Sequence, residues 1–110
     1  MEEISWEDFE KVDMRVGTVL KAEKFEKASK PAYKLEIDFG ELGIKKSSAQ
    51  ITKLYDVDEL IGKQIIAVVN FPAKQIADFM SECLVMGVVQ GDDVILLDVE
   101  RKAENGKRIL

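Results

Sequence analysis

From Val12 onward the chain alternates: Val12, Met14, Val16, Thr18, Leu20 and Ala22 share one face, while Asp13, Arg15, Lys21 and Glu23 fall on the other with Gly17 and Val19. A period of two predicts a long, half-buried strand. Gly17 in its middle predicts a bend or bulge, as a small barrel needs where one strand serves two sheets. After the turn at Lys30-Pro31, Tyr33, Leu35, Ile37 and Phe39 alternate with Lys34, Glu36 and Asp38, the cleanest antiparallel-strand pattern in the sequence. Gly40 to Gly43 would close a hairpin into a third strand, Ile44 to Ala49. The continuous apolar run Ile65 to Phe71, with Asn70 its polar intruder, predicts a central strand covered on both faces. A loop over Pro72 to Met80 precedes a strand at Leu84 to Val89, and the turn Gly91-Asp92-Asp93 leads to a last one at Val94 to Val99.

Two short helices interrupt this pattern. Ser5-Trp6-Glu7-Asp8 has the form of a capping box, in which Ser5 accepts the Asp8 amide and the acid reaches back, so a helix of about Trp6 to Lys11 should follow. Asp56-Val57-Asp58-Glu59 opens a second helix that stops at Gly62. With the last two strands counted as one hairpin, five principal strands with a helix between the third and fourth give the order of an all-β, five-stranded Greek-key barrel of the OB type. No linker or internal repeat divides the sequence, so residues 1–110 read as one domain.

Composition narrows what such a barrel can do. Histidine is absent, which removes the commonest general base, the usual partner of a Ser or Cys nucleophile and the commonest metal ligand. Cys83 is the sole cysteine, so neither an intramolecular disulfide nor a thiolate cluster can form within the chain. Glu36 and Asp38 stand roughly 7 Å apart on one strand face, but Lys34 beside them points to a solvated, ion-paired surface. Asp92-Asp93 reads as a turn, and Gly43-Ile44-Lys45-Lys46-Ser47 lacks the glycine spacing of a phosphate loop. The expectation is therefore a binding protein, not an enzyme, with no metal or cofactor.

Charge directs where binding would occur. A net charge of −5 argues against indiscriminate nucleic-acid binding, yet Ile44 to Tyr55 carries Lys45, Lys46 and Lys53 and no acid. That segment, with Ser47, Ser48 and Gln50 among its lysines, is one candidate surface. The other runs from Asn70 through Lys74, Gln75, Phe79, Met80, Ser81 and Glu82, where Phe79 and Met80 offer apolar contact. No stretch reaches the roughly 18 apolar residues of a membrane span, so no membrane insertion is expected. Met1 to Glu10 is acidic and lacks the basic start and apolar run of a signal peptide, and a cytoplasmic location follows as the expectation.

Asp8-Phe9-Glu10-Lys11-Val12-Asp13-Met14-Arg15-Val16-Gly17 resembles the opening of the tRNA-binding-domain family, an OB-fold module at the C-terminus of some methionyl-tRNA synthetases and also free-standing. Ser47-Ser48-Ala49-Gln50-Ile51-Thr52 and Ala67-Val68-Val69-Asn70-Phe71-Pro72 look most like the CsaA branch, and the likeness covers nearly the whole chain. The resemblance implies a homodimeric export chaperone for unfolded preproteins that works with the secretion motor, or a structure-specific tRNA binder. In tRNA-binding relatives the positions of Lys45, Lys46, Lys53 and Lys74 lie on or near the RNA-facing surface, and Ser81-Glu82 is a family hallmark. Ala77 and Asp78 depart from the basic pattern there, which implies weaker phosphate contact. The family's dimer implies an interface role for Ile4, Trp6 and Phe9.

Overall fold

The computed structural model describes all 110 residues. Helix α1 (Trp6–Glu10) starts as the sequence predicts: Ser5 Oγ accepts the Asp8 N–H at 3.0 Å and Asp8 Oδ2 accepts the Ser5 N–H at 3.3 Å. Strands β1 (Met14–Lys24), β2 (Tyr33–Asp38) and β3 (Ile44–Ala49) follow, then helix α2 (Val57–Leu60) and β4 (Gln64–Val68). The remaining strands are short: β5 (Lys74–Ile76), β6 (Phe79–Ser81), β7 (Leu84–Val85), β8 (Gly87–Gln90), β9 (Asp93–Leu96) and β10 (Arg108–Ile109). The main sheet runs β3-β2-β1-β4-β7, with β10 added to β1, and every pairing in it is antiparallel. The Glu82 N–H donates to the Lys46 carbonyl at 2.7 Å and Ser47 Oγ to the Cys83 carbonyl at 2.9 Å, which brings the two ends of the sheet together as a nearly closed barrel.

β1 serves both halves of this barrel. Its first five residues pair with β4, and from Thr18 onward it pairs with β2. Before the register shift between Val19 and Lys21 the core-facing residues are Gly17 and Val19, after it Ala22 faces the core, and Leu20 between them is 45% exposed. The unbroken inward face expected for Val12 to Ala22 is thus corrected, because one extra residue in a strand inverts everything beyond it. Gly17 is not the bulge. A Cβ there would lie 2.6 Å from Ile37 Cγ2 and 2.7 Å from the Phe39 ring, so glycine is what lets β1 lie against the core.

The core collects Leu35, Ile37 and Phe39 with Val19, Ile65 and Ala67, and Leu60 of α2 plugs it. Four other expectations change, one of them the strand expected over Val94 to Val99, which ends at Leu96. The strand expected over Ile65 to Phe71 ends at Val68, because the Asn70 amide turns back to accept the Asp13 N–H at 3.1 Å and donate to the Lys11 carbonyl at 2.6 Å. The loop expected over Pro72 to Met80 contains the β5–β6 hairpin. The strand expected over Leu84 to Val89 divides at Met86, with β7 on β4 and β8 paired to β9 in a separate hairpin.

The last dozen residues hold no strong pattern, yet they close one flank of the barrel. Val16 and Gly106 share a backbone hydrogen bond of 2.8 Å, Thr18 Oγ1 donates to Asn105 Oδ1 at 2.7 Å, and Gln64 and Ala103 bond reciprocally. Gly106 has φ +88°, and a Cβ there would come within 2.3 Å of the Phe39 carbonyl oxygen, so only glycine fits.

Candidate binding surface

Strand register decides which of the lysines act together. Lys34 stands opposite Ser48 and Glu36 opposite Lys46, so these four side chains share the outer face of β2 and β3. β1 extends the face, with Glu23 and Lys21 opposite Lys34 and Glu36. Lys34 Nζ lies 3.3 Å from Glu23 and Lys21 Nζ 3.8 Å from Glu36, which makes the Glu36–Asp38 neighbourhood the ion-paired surface the sequence predicts. Lys45 is opposite Ile37, a fully buried residue, and so points to the other side of β3 from Lys46.

The hairpin β5–β6 brings Phe79 to the edge of this outer face. Its ring meets Phe25 edge-on, with centroids 5.3 Å apart and planes inclined at 63°. Lys46 Nζ lies 5.5 Å from the Phe79 centroid and Lys34 Nζ 5.8 Å from it, and Lys34 is also 5.5 Å from the Phe25 centroid. Two ammonium groups therefore share one aromatic pair, each drawn by the negative ring face. Sequence reasoning named Phe79 and Lys46 but missed Phe25 and Lys34. Phe25 lies just beyond the end of β1 and Lys34 looks like any outward strand lysine; the β1–β2 pairing, Glu23 with Lys34 and Lys24 with Tyr33, is what brings them together.

Other candidate residues are structural in this fold. Ser47 is 1% exposed and its hydroxyl is committed to Cys83; Asn70 fastens α1 to β1. Ser81 Oγ accepts the Ser48 N–H at 3.0 Å and Glu82 Oε1 accepts the Lys46 N–H at 2.9 Å, so this pair substitutes for a neighbouring strand along the edge of β3. Lys74, Gln75 and Met80 are exposed on the hairpin, and Gln50 and Lys53 are exposed just beyond β3. An open groove of about 420 Å³ lies at the hairpin base, with Phe71, Pro72 and Leu84 as its apolar lining and Lys74 and Glu82 at its polar margin. The Trp6 and Phe9 rings of α1 lie 5.5 Å apart, tilted at 46°, while Trp6 and the preceding Ile4 remain 61% and 68% exposed.

This surface is equipped to bind. Burial pushes the Cys83 thiol up to about 11, which leaves it protonated and unreactive at neutral pH. No three His, Cys, Asp or Glu side chains converge in a way that could hold a metal ion. No helix is long and apolar enough to cross a membrane.

Residues 14–108 match the family described as "Putative tRNA binding domain". The fold superposes on the chaperone CsaA of Bacillus anthracis with a TM-score of 0.95 and 54% identity, covering 99% of this chain and 100% of that one. The CsaA chaperone protein of Picrophilus torridus is similar at 54% identity and TM-score 0.93, over 98% and 100% of the two chains. A MetRS-related protein of Pyrococcus horikoshii follows at 32% identity and TM-score 0.88, with both chains covered fully. Among curated sequences, the methionine–tRNA ligase of Bdellovibrio bacteriovorus is 33% identical over 97% of the chain, and that of Pelodictyon phaeoclathratiforme 39% identical over 96%. The chain spans only 16% and 15% of the length of those two ligases.

Proposed function

The chain belongs to the tRNA-binding-domain family, and on that premise we propose that it is a CsaA-like, homodimeric cytoplasmic chaperone that holds extended segments of unfolded preproteins and catalyses no reaction. The observation that carries this reading is likeness over the full length of two solved chaperones, where the ligases share one module of a much longer chain. The surface agrees with it. Phe79, Met80 and Phe71 supply apolar contact, and Lys34, Lys46 and Lys74 supply a cationic margin that would hold polar backbone and acidic side chains. A protein of net charge −5 would gain less from polyanions than from such mixed surfaces. Delivery of the held chain to the secretion motor is part of the same proposal.

Structure-specific tRNA binding is the second reading, and the Lys34–Phe79–Lys46 arrangement is the observation that favours it. Cations flanking an aromatic ring suit a phosphate backbone with an unstacked base. The two ligands separate experimentally. Phe79→Ser is expected to abolish suppression of aggregation of an unfolded secretory protein while lowering tRNA affinity only a few-fold, since stacking one base is worth about 1–3 kcal/mol and the cations remain. Loss of tRNA binding with aggregation suppression intact would reverse the assignment.

Dimer formation has its own rationale. Trp6 and Phe9 of α1, which has no buried residue, form an apolar strip with Ile4 just before the helix, and Phe71 lies near its anchor at Asn70. Pairing two such strips about a two-fold axis would bury them reciprocally. Sedimentation velocity should give a dimer for the parent chain and a monomer for Trp6→Asp; a parent monomer at tens of micromolar would refute the pairing.

A further inference from the structure

The β5–β6 hairpin forms a two-stranded sheet of its own outside the main sheet. Its base is fastened firmly, through Ser81 to Ser48 and through Glu82 to Lys46. Its tip is fastened by much less: Asp78 Oδ2 accepts a hydrogen bond from Lys27 Nζ at 2.7 Å, and Phe79 leans edge-on against Phe25. Lys27 and Asp78 are mostly exposed, at 70% and 60% of their side chains, so water and salt screen the pair. The turn itself is strained. Ala77 is the first residue of the two-residue connection between Ile76 and Phe79 and has φ +53°, a left-handed conformation in which glycine is normally found. A two-stranded hairpin is marginal in water even with a relaxed turn.

We propose that Lys27 and Asp78 are positioning residues whose ion pair latches the hairpin tip to the β1–β2 loop, keeping Phe79 folded on Phe25 between Lys34 and Lys46, and that release of this latch frees the Phe79 ring for an apolar segment of an unfolded polypeptide. The inference deepens the chaperone reading and rests on it for the identity of the occupant. Charge is compatible with a polypeptide there: Lys27 and Asp78 neutralise each other, so the hairpin tip adds no net cation beside Phe79 for a phosphate to use. The mutual hydrogen bond favours both charged forms, with Lys27 titrating above and Asp78 below the ordinary range, and Lys34 adds to the lowering of Asp78. The latch is therefore controlled by competition and ionic strength. Opening it would exchange the Phe25 ring and the flanking Lys34 and Lys46 ammonium groups for the client side chain, without breaking the barrel.

Charge reversal tests this without any ligand. Lys27→Glu and Asp78→Lys are each expected to speed amide hydrogen exchange in Lys74–Ser81 by about two- to five-fold and to reduce the ring-current shifts between Phe25 and Phe79. The double swap should restore both, because it rebuilds the pair with its polarity inverted. In the parent chain, raising salt from about 0.05 M to about 0.5 M should reproduce the single-variant exchange. Unchanged exchange in both singles, or no recovery in the double swap, would overturn the latch. With an unfolded secretory protein as probe, both singles should capture it two- to five-fold faster than the parent, and equal capture rates would overturn the link between latch and binding. A parent chain that captures no unfolded protein would refute the functional reading alone, since exchange and ring shifts still decide the latch.

Discussion

Phe39→Ala is expected to lower stability by about 3–5 kcal/mol, out of the roughly 5–15 kcal/mol available to a domain of this kind. A fall in melting temperature on the order of 15 °C should follow. Phe39 is fully buried where three parts of the chain meet. Its ring fills the space opposite Gly17 of β1, its N–H donates to the Gly43 carbonyl at 3.0 Å, and its carbonyl lies against Gly106 of the C-terminal segment. A void left by the ring would not collapse readily, because the facing residue has no side chain to move into it. The same geometry gives a coupled test. Gly17→Ala alone should cost about 1–3 kcal/mol by overpacking against Phe39 and Ile37. In the Phe39→Ala background the added methyl group occupies vacated space, so its cost should shrink or change sign. Denaturant midpoints of the four proteins measure this, and simple additivity of the two effects would mean that the residues do not share the cavity.

The second large effect concerns ligand choice. Lys34→Glu with Lys46→Glu should weaken tRNA binding by more than about tenfold at 0.1 M salt and reduce the slope of log affinity against log salt by roughly 1.5, as two lost phosphate contacts require. Both ammonium groups lie on one face beside Phe79, so they act on the same stretch of ligand. Lys45→Glu is the control, since that side chain projects from the opposite face of β3, and it should change tRNA affinity less than twofold. Suppression of polypeptide aggregation should weaken much less than tRNA binding in the double change, because the apolar floor is intact and Lys74 remains at the margin. Titration of labelled tRNA across salt measures the first part. Equal loss from Lys45→Glu would mean that RNA approaches from another face.

The strands that were legible in the sequence are those whose inner residues are fixed by one uninterrupted alternation. β2 is the clearest case: Tyr33, Leu35 and Ile37 are buried and Lys34, Glu36 and Asp38 are not, as their order dictates. Both short helices were legible for a related reason, since a capping box is a local chemical arrangement contained in four residues. Legibility failed wherever a partner distant in sequence took control. Asn70 ends β4 because Lys11 and Asp13 are beside it, and Met86 divides an apolar run because β9 draws β8 away.

The same division applies to the binding surface. Lysines and an aromatic in a turn-rich segment were present in the sequence, and they pointed to surfaces suited to binding. Which lysines act together was decided by register: Lys45 and Lys46 adjoin in sequence but point apart, while Lys34, Lys46, Phe25 and Phe79 come from four separate segments. Side-chain chemistry and alternation are local properties of a chain. A constellation across strands depends on long-range pairing, because a shift of one residue sends every side chain to the other face.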